Sequence, residues 1–214
     1  MKWITILGLG AALCFQSCMS VVSTYQSAKT AGEGNLDATG SFTNQSYKYG
    51  EGDEGDSFKY NTFGVQAAYG VVDEFDLCAR IEKVGNEDEV NGPTLIALGG
   101  KYSLVENVLS AYMPLGFYIG EDVETSESFH IRPTLLGNID VSDNFELTPM
   151  LGYVMPFNGD YNGLIQLGLS AGLRIPNAES LVIRPEFGFS FNGEDSGSEK
   201  ILHMGLGMCY KFEN

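Results

Sequence analysis

Two histidines, His130 and His203, are the side chains best suited to move protons near neutral pH. Ser126, Glu127 and Ser128 lie just before His130, and Ser198 lies just before His203. An imidazole beside a hydroxyl and a carboxylate is the raw material of hydrolytic chemistry. Neither histidine sits in a GxSxG or HExxH spacing, so the sequence supplies no motif for a serine nucleophile or a catalytic zinc. The stretch Gly50-Glu51-Gly52-Asp53-Glu54-Gly55-Asp56 offers the oxygen ligands that calcium takes. It lacks the spacing and terminal glutamate of an EF-hand loop, and reads as a solvated acidic loop. The expectation is therefore a protein that is not an enzyme, with no metal site and no cofactor.

The formal net charge is −16, which excludes the basic footprint that nucleic acid requires. The acidic excess gathers in short runs, such as Glu87-Asp88-Glu89, that read as loops. The cysteines are Cys14, Cys18, Cys78 and Cys209, with no CxxC pair, so zinc and thioredoxin-like readings fail. A Cys78–Cys209 disulfide is left open.

Lys2 is followed by an apolar stretch from Trp3 to Phe15, too short to span a bilayer as a stable helix. It ends in Phe15-Gln16-Ser17-Cys18. This segment resembles a bacterial lipoprotein signal, in which cleavage falls before a cysteine that becomes lipidated. That resemblance implies a signal peptide over 1–17 and a lipid on Cys18. An ordinary secretory signal cut near Ser17 or Ser20 is the alternative. Residues 18–32, rich in Ser, Thr, Ala and Gly, read as a tether from anchor to body. The body runs over 33–214.

To place any of these residues, the chain needs strands. Phe63, Val65, Ala67, Tyr69 and Val71 alternate with Thr62, Gly64, Gln66, Ala68 and Gly70, the period of a strand with two unlike faces. Phe75, Leu77, Ala79 and Ile81 oppose Asp76, Cys78, Arg80 and Glu82 in the same way. The pattern recurs to the C-terminus, predicting a strand near Leu36 to Tyr47 and about ten in all. One of these is read as running unbroken from Ile131 to Val141. Four connections are tight, near Val72-Asp73-Glu74, Val105-Glu106-Asn107, Asp143-Asn144 and Pro176-Asn177-Ala178. Those between them are longer and acidic. Short turns on one rim and long loops on the other suit an outer-membrane barrel. Period two does not say which face meets water. The second face, Gly and Ser mixed with charges of both signs, suits a narrow interior. Aromatics on the apolar face lie near strand ends: Phe75, Tyr102, Phe145, Tyr210 and Phe212 toward the turns, Phe117, Phe157 and Phe191 toward the loops. They suit two interfacial girdles.

With the lipobox-like Ser17-Cys18, the two-faced strands and the closing Met208-Cys209-Tyr210-Lys211-Phe212, the chain resembles small outer-membrane β-barrel proteins of Gram-negative bacteria. The fold expected is all-β: a closed antiparallel up-and-down transmembrane barrel. The resemblance implies outer-membrane lipids and the barrel-assembly machinery as partners, a monomer, both termini periplasmic and the acidic loops extracellular. Arg80, Glu82, Arg132, Asp140, Glu146, Arg174, Arg184 and Glu186 are expected to face inward and pair across strands. They would fill the lumen as a structural network, or form the constriction of a narrow pore. His130 and His203 would sit near the loop-side rim. The function expected is a structural or surface-interaction role. The alternatives are a narrow pore for ions or small solutes, a rim hydrolase acting on lipid or peptide, and a soluble lipocalin-like binder on a lipid tether.

Overall fold

The computed structural model describes residues 22–49, 56–85, 92–121, 123–157, 163–192 and 199–213. Twelve strands follow in order: β1 (Leu36–Tyr49), β2 (Asp56–Val72), β3 (Phe75–Gly85), β4 (Thr94–Val105), β5 (Leu109–Ile119), β6 (His130–Ile131), β7 (Thr134–Gly137), β8 (Ile139–Ser142), β9 (Phe145–Pro156), β10 (Leu164–Ile175), β11 (Ala178–Asn192) and β12 (Glu199–Phe212). Among the described residues the only helix is a 3-10 turn at Thr125–Glu127.

Each strand pairs antiparallel with its neighbours, and β1 pairs with both β2 and β12. The sheet therefore closes on itself. β6, β7 and β8 together fill one position between β5 and β9. The result is a ten-stranded up-and-down barrel. Closure removes the edges, which a membrane demands because unpaired N–H and C=O groups are too costly in hydrocarbon.

The strand expected to run unbroken from Ile131 to Val141 is interrupted twice. Pro133 has no N–H to give a ladder, and the backbone around it adapts. The amide of Arg132 donates to the carbonyl of Pro114 (3.0 Å), and that of Tyr153 donates to the carbonyl of Pro133 (3.0 Å). The second break is at Asn138, whose amide donates to the carbonyl of Val108 at 2.8 Å.

The pleat sorts the residues as their chemistry requires of a cylinder in lipid. Along β3, Ile81 is 59% exposed, while its neighbours Arg80 and Glu82 are 3% and 0% exposed. Leu98, Val65, Met204 and Leu206 are likewise exposed on the outer wall. An unbroken apolar band of this extent is not a water-facing surface. Tyr102, Tyr210, Phe212 and Phe157 are exposed near strand ends, at the two expected girdles. The tight turns at Asn107 (φ 58°) and Asn177 (φ 68°) place asparagine in the left-handed region, which its short polar side chain tolerates. Cys78 and Cys209 are buried free thiols, so the disulfide left open by the sequence is absent.

Inside lies something that the alternation does not reveal. Residues 22–31, expected to be part of a tether outside the barrel, lie within it. Val22, Ser23, Thr24, Tyr25 and Ala28 are at most 2% exposed.

Candidate functional site

The site is the lumen and the chain that occupies it. No regular secondary structure forms over residues 22–30, so the backbone amides and carbonyls there need partners from the wall. Glu186, on the inner face of β11, accepts from the backbone amide of Thr24 at 2.7 Å and from that of Tyr25 at 2.6 Å. One carboxylate thus holds two consecutive amides, a charge-assisted arrangement stronger than a neutral bond. Its Oε1 also lies 3.3 Å from Nε2 of His203.

On the facing wall, Arg80 of β3 donates to the carbonyl of Ser23 at 2.6 Å and to its hydroxyl at 2.9 Å. Arg132 donates to the same carbonyl at 3.1 Å. Glu82 is ion-paired with Arg80, whose Nε donates to it at 2.6 Å. A guanidinium in a closed lumen needs such a counter-charge, because desolvation of a lone cation costs several kcal/mol. Tyr25 donates its phenol to the Phe42 carbonyl at 3.0 Å and shares a hydrogen bond with the Thr43 hydroxyl at 2.8 Å. The Gln66 amide donates to the carbonyl of Tyr25 at 3.2 Å.

Toward the turn rim the grip changes partners but not principle. Ser110 donates to the carbonyl of Ala28, and Lys101 donates to that of Lys29 at 2.7 Å. Asp76 is salt-bridged to Lys101 at 2.9 Å and accepts the Ala31 amide at 3.0 Å. Lys29 itself bridges Asp140 (2.6 Å) and Glu146 (3.1 Å), and Glu146 also holds Arg184 (2.6 Å) and Arg174 (3.1 Å). Two glycines make room. A Cβ on Gly205 would come 1.8 Å from the Tyr25 hydroxyl, and one on Gly207 would come 2.9 Å from its ring.

The eight charges expected to face inward fall into two groups. Arg80, Glu82, Arg132 and Glu186 surround residues 23–25. Glu146, Arg174, Arg184 and Asp140 gather around Lys29 at the turn end, where Asp140 is half exposed rather than enclosed. Sequence reasoning omitted Asp76 and Lys101 from the network although both lie on the inner face. Their direct register across β3 and β4 is the signal that would have found them. It also omitted Lys29, which no periodicity marks.

His203 is not at the rim. It is 2% exposed and lies in the lumen beside Glu186. His130 is half buried, its ring stacked on Tyr118 and its Nδ1 3.0 Å from the carbonyl of Ser128. The Ser128 hydroxyl donates to the Thr125 carbonyl at 2.9 Å, and the Ser126 hydroxyl donates to Glu124 at 3.2 Å. Glu127 is exposed in the 3-10 turn. Cys18, Ser198 and residues 50–55 of the carboxylate loop lie outside the described residues, and Asp56 opens β2.

No protein-family model matches the chain, and no curated protein matches it in sequence. Solved structures do match in shape. The translocator domain of the autotransporter NalP from Neisseria meningitidis superposes with a TM-score of 0.51 at 9% identity, covering 83% of this chain and 88% of that one. An outer membrane channel from Pseudomonas putida F1 gives 0.50 at 11% identity, covering 86% and 98%. At these identities the likeness is one of fold, and it agrees with the apolar outer wall: the chain is a closed antiparallel transmembrane β-barrel.

Proposed function

We propose that this chain is a non-enzymatic outer-membrane β-barrel lipoprotein, closed by its own N-terminal segment, with a structural or surface-interaction role. The observation that carries this reading is the occupancy of the lumen by residues 22–31, gripped through their main chain by Glu186, Arg80, Arg132 and Lys101. On this reading the filled barrel carries no steady aqueous path, and it presents an outer wall to lipid and acidic loops at one rim. Ser17-Cys18 is the basis for the lipoprotein assignment. Outer-membrane lipid and the assembly machinery are the partners this reading requires.

Single-channel recording in planar bilayers tests it. The full-length protein should give no steady conductance steps. Steady, ion-selective steps from the unmodified protein would replace this reading with that of a pore. The pore reading has one feature in its favour: the inner wall carries many polar groups, with Gln45, Thr62, Gln166, Ser170 and Ser190 all buried there. Such a wall would hold water if the segment withdrew. Glu186→Gln, which weakens the grip on Thr24 and Tyr25, should therefore increase brief openings over the unmodified protein.

A further inference from the structure

The occupying segment has a direction. Its turn-rim end is fixed where the Thr30 hydroxyl donates to the Asp73 carbonyl at 2.6 Å, the Glu33 amide donates to Asp73 at 3.1 Å and the Gly34 amide donates to the Gly70 carbonyl at 2.9 Å. Asp73 belongs to the tight turn between β2 and β3. Its other described end, Val22, packs in a cluster with Tyr47, Tyr60, Val84, Leu95 and Ile201. Each of these lies within a few residues of the loop-side end of its strand. Between the two ends, Ala28 meets Ser110 and Cys78 near the turns, while Tyr25 and Ser23 meet Thr43 and Arg80 further from them. The eight steps from Val22 to Thr30 can reach at most about 26–29 Å, enough for an apolar band about 25 Å tall. The segment therefore runs inside the barrel from the turn-side end of the lumen to the loop-side end.

We infer that the barrel carries its own N-terminal end through the membrane, so that the chain before Val22 emerges on the loop side. This rests on the membrane-spanning reading, and it specifies where a lipidated Cys18 would dock. Three residues lie between Cys18 and Val22, and the four steps reach at most about 14 Å. That is too short to return to the turn-side leaflet while residues 22–31 stay in place. The chemical partner of a lipid on Cys18 is then the loop-side leaflet, opposite to the periplasmic side on which the sequence alone places both termini.

A membrane-impermeant maleimide tests the side directly in the full-length protein. Glu106→Cys, in the β4–β5 turn, and Glu124→Cys, before the 3-10 turn on the loop side, serve as references. The native Cys78 and Cys209 are buried and stay silent, and Cys14 and Cys18 are replaced by serine in all three variants. Ser20→Cys is expected to label from the side that labels Glu124→Cys. Labelling from the side of Glu106→Cys, or from neither side, overturns the inference. If the two references label from the same side, the membrane-spanning reading itself fails, an outcome distinct from the failure of the threading alone.

Discussion

The side chains that matter most here act on main-chain atoms rather than on one another. Glu186 accepts two consecutive amides, so Glu186→Ala strands both donors in a closed space. Removing one partner of a buried charged arrangement costs on the order of 3 kcal/mol. The expected result is a clearly lower urea midpoint for the loss of the folded, fast-migrating band. Gly207 and Tyr25 give a sharper check. A Cβ at 207 meets only the Tyr25 side chain among its three nearest neighbours. Gly207→Ala should destabilise the native protein, yet cost less when Tyr25→Ala is already present. A double-mutant cycle on the same midpoint should return a coupling of about 0.5–3 kcal/mol. The inner-face charges were legible because they alternate with apolar residues. The contacts of residues 22–31 were not, because the wall grips mainly their backbone, which is the same for any residue type. A Ser- and Thr-rich stretch without a period then looks like linker.

At the level of the strand, the alternation is a statement about solvent on both sides. Leu98 lies in the middle of β4 on the outer wall, and Val105 lies at its turn-side end. Leu98→Arg should cost about 2–4 kcal/mol in lipid, and Val105→Arg about 0–1 kcal/mol. Urea titration of the protein folded into phospholipid vesicles measures both, and equal costs would contradict a membrane-embedded wall. Strand positions and tight turns were readable from period two and the turn residues, and the outward face from the small and charged residues of the opposite face and the aromatics near strand ends. The break of the sixth barrel position into β6, β7 and β8 was less so. Pro133 sits in the written pattern between residues that keep their alternation, and only the pairing of Arg132 with Pro114 and Tyr153 with Pro133 shows how the ladder bends around it. The depth of His203 was misjudged for a related reason. β12 begins at Glu199, and the few residues from there to His203 carry it below the rim into the lumen.

For the whole molecule, the decisive contrast is between a barrel held by lipid and a soluble cup held by a tether. Cys18→Ser removes the candidate lipid site but leaves the exposed wall of Ile81, Leu98 and Met204 intact. The variant should stay with the membrane or detergent fraction and should still migrate faster unheated than boiled. Partition into detergent-free buffer would favour the soluble alternative. The closing seam between β1 and β12 has a further consequence. Leu36 meets Phe212, so the two edges that seal the cylinder come from nearly opposite ends of the chain. Neither edge can be satisfied until the final residues arrive, and until then two open ladders are exposed. The enclosed N-terminal stretch has partners on β3, β5 and β11. It is thus a mandrel available from the start, around which early and late strands can be wound before the seam is stitched.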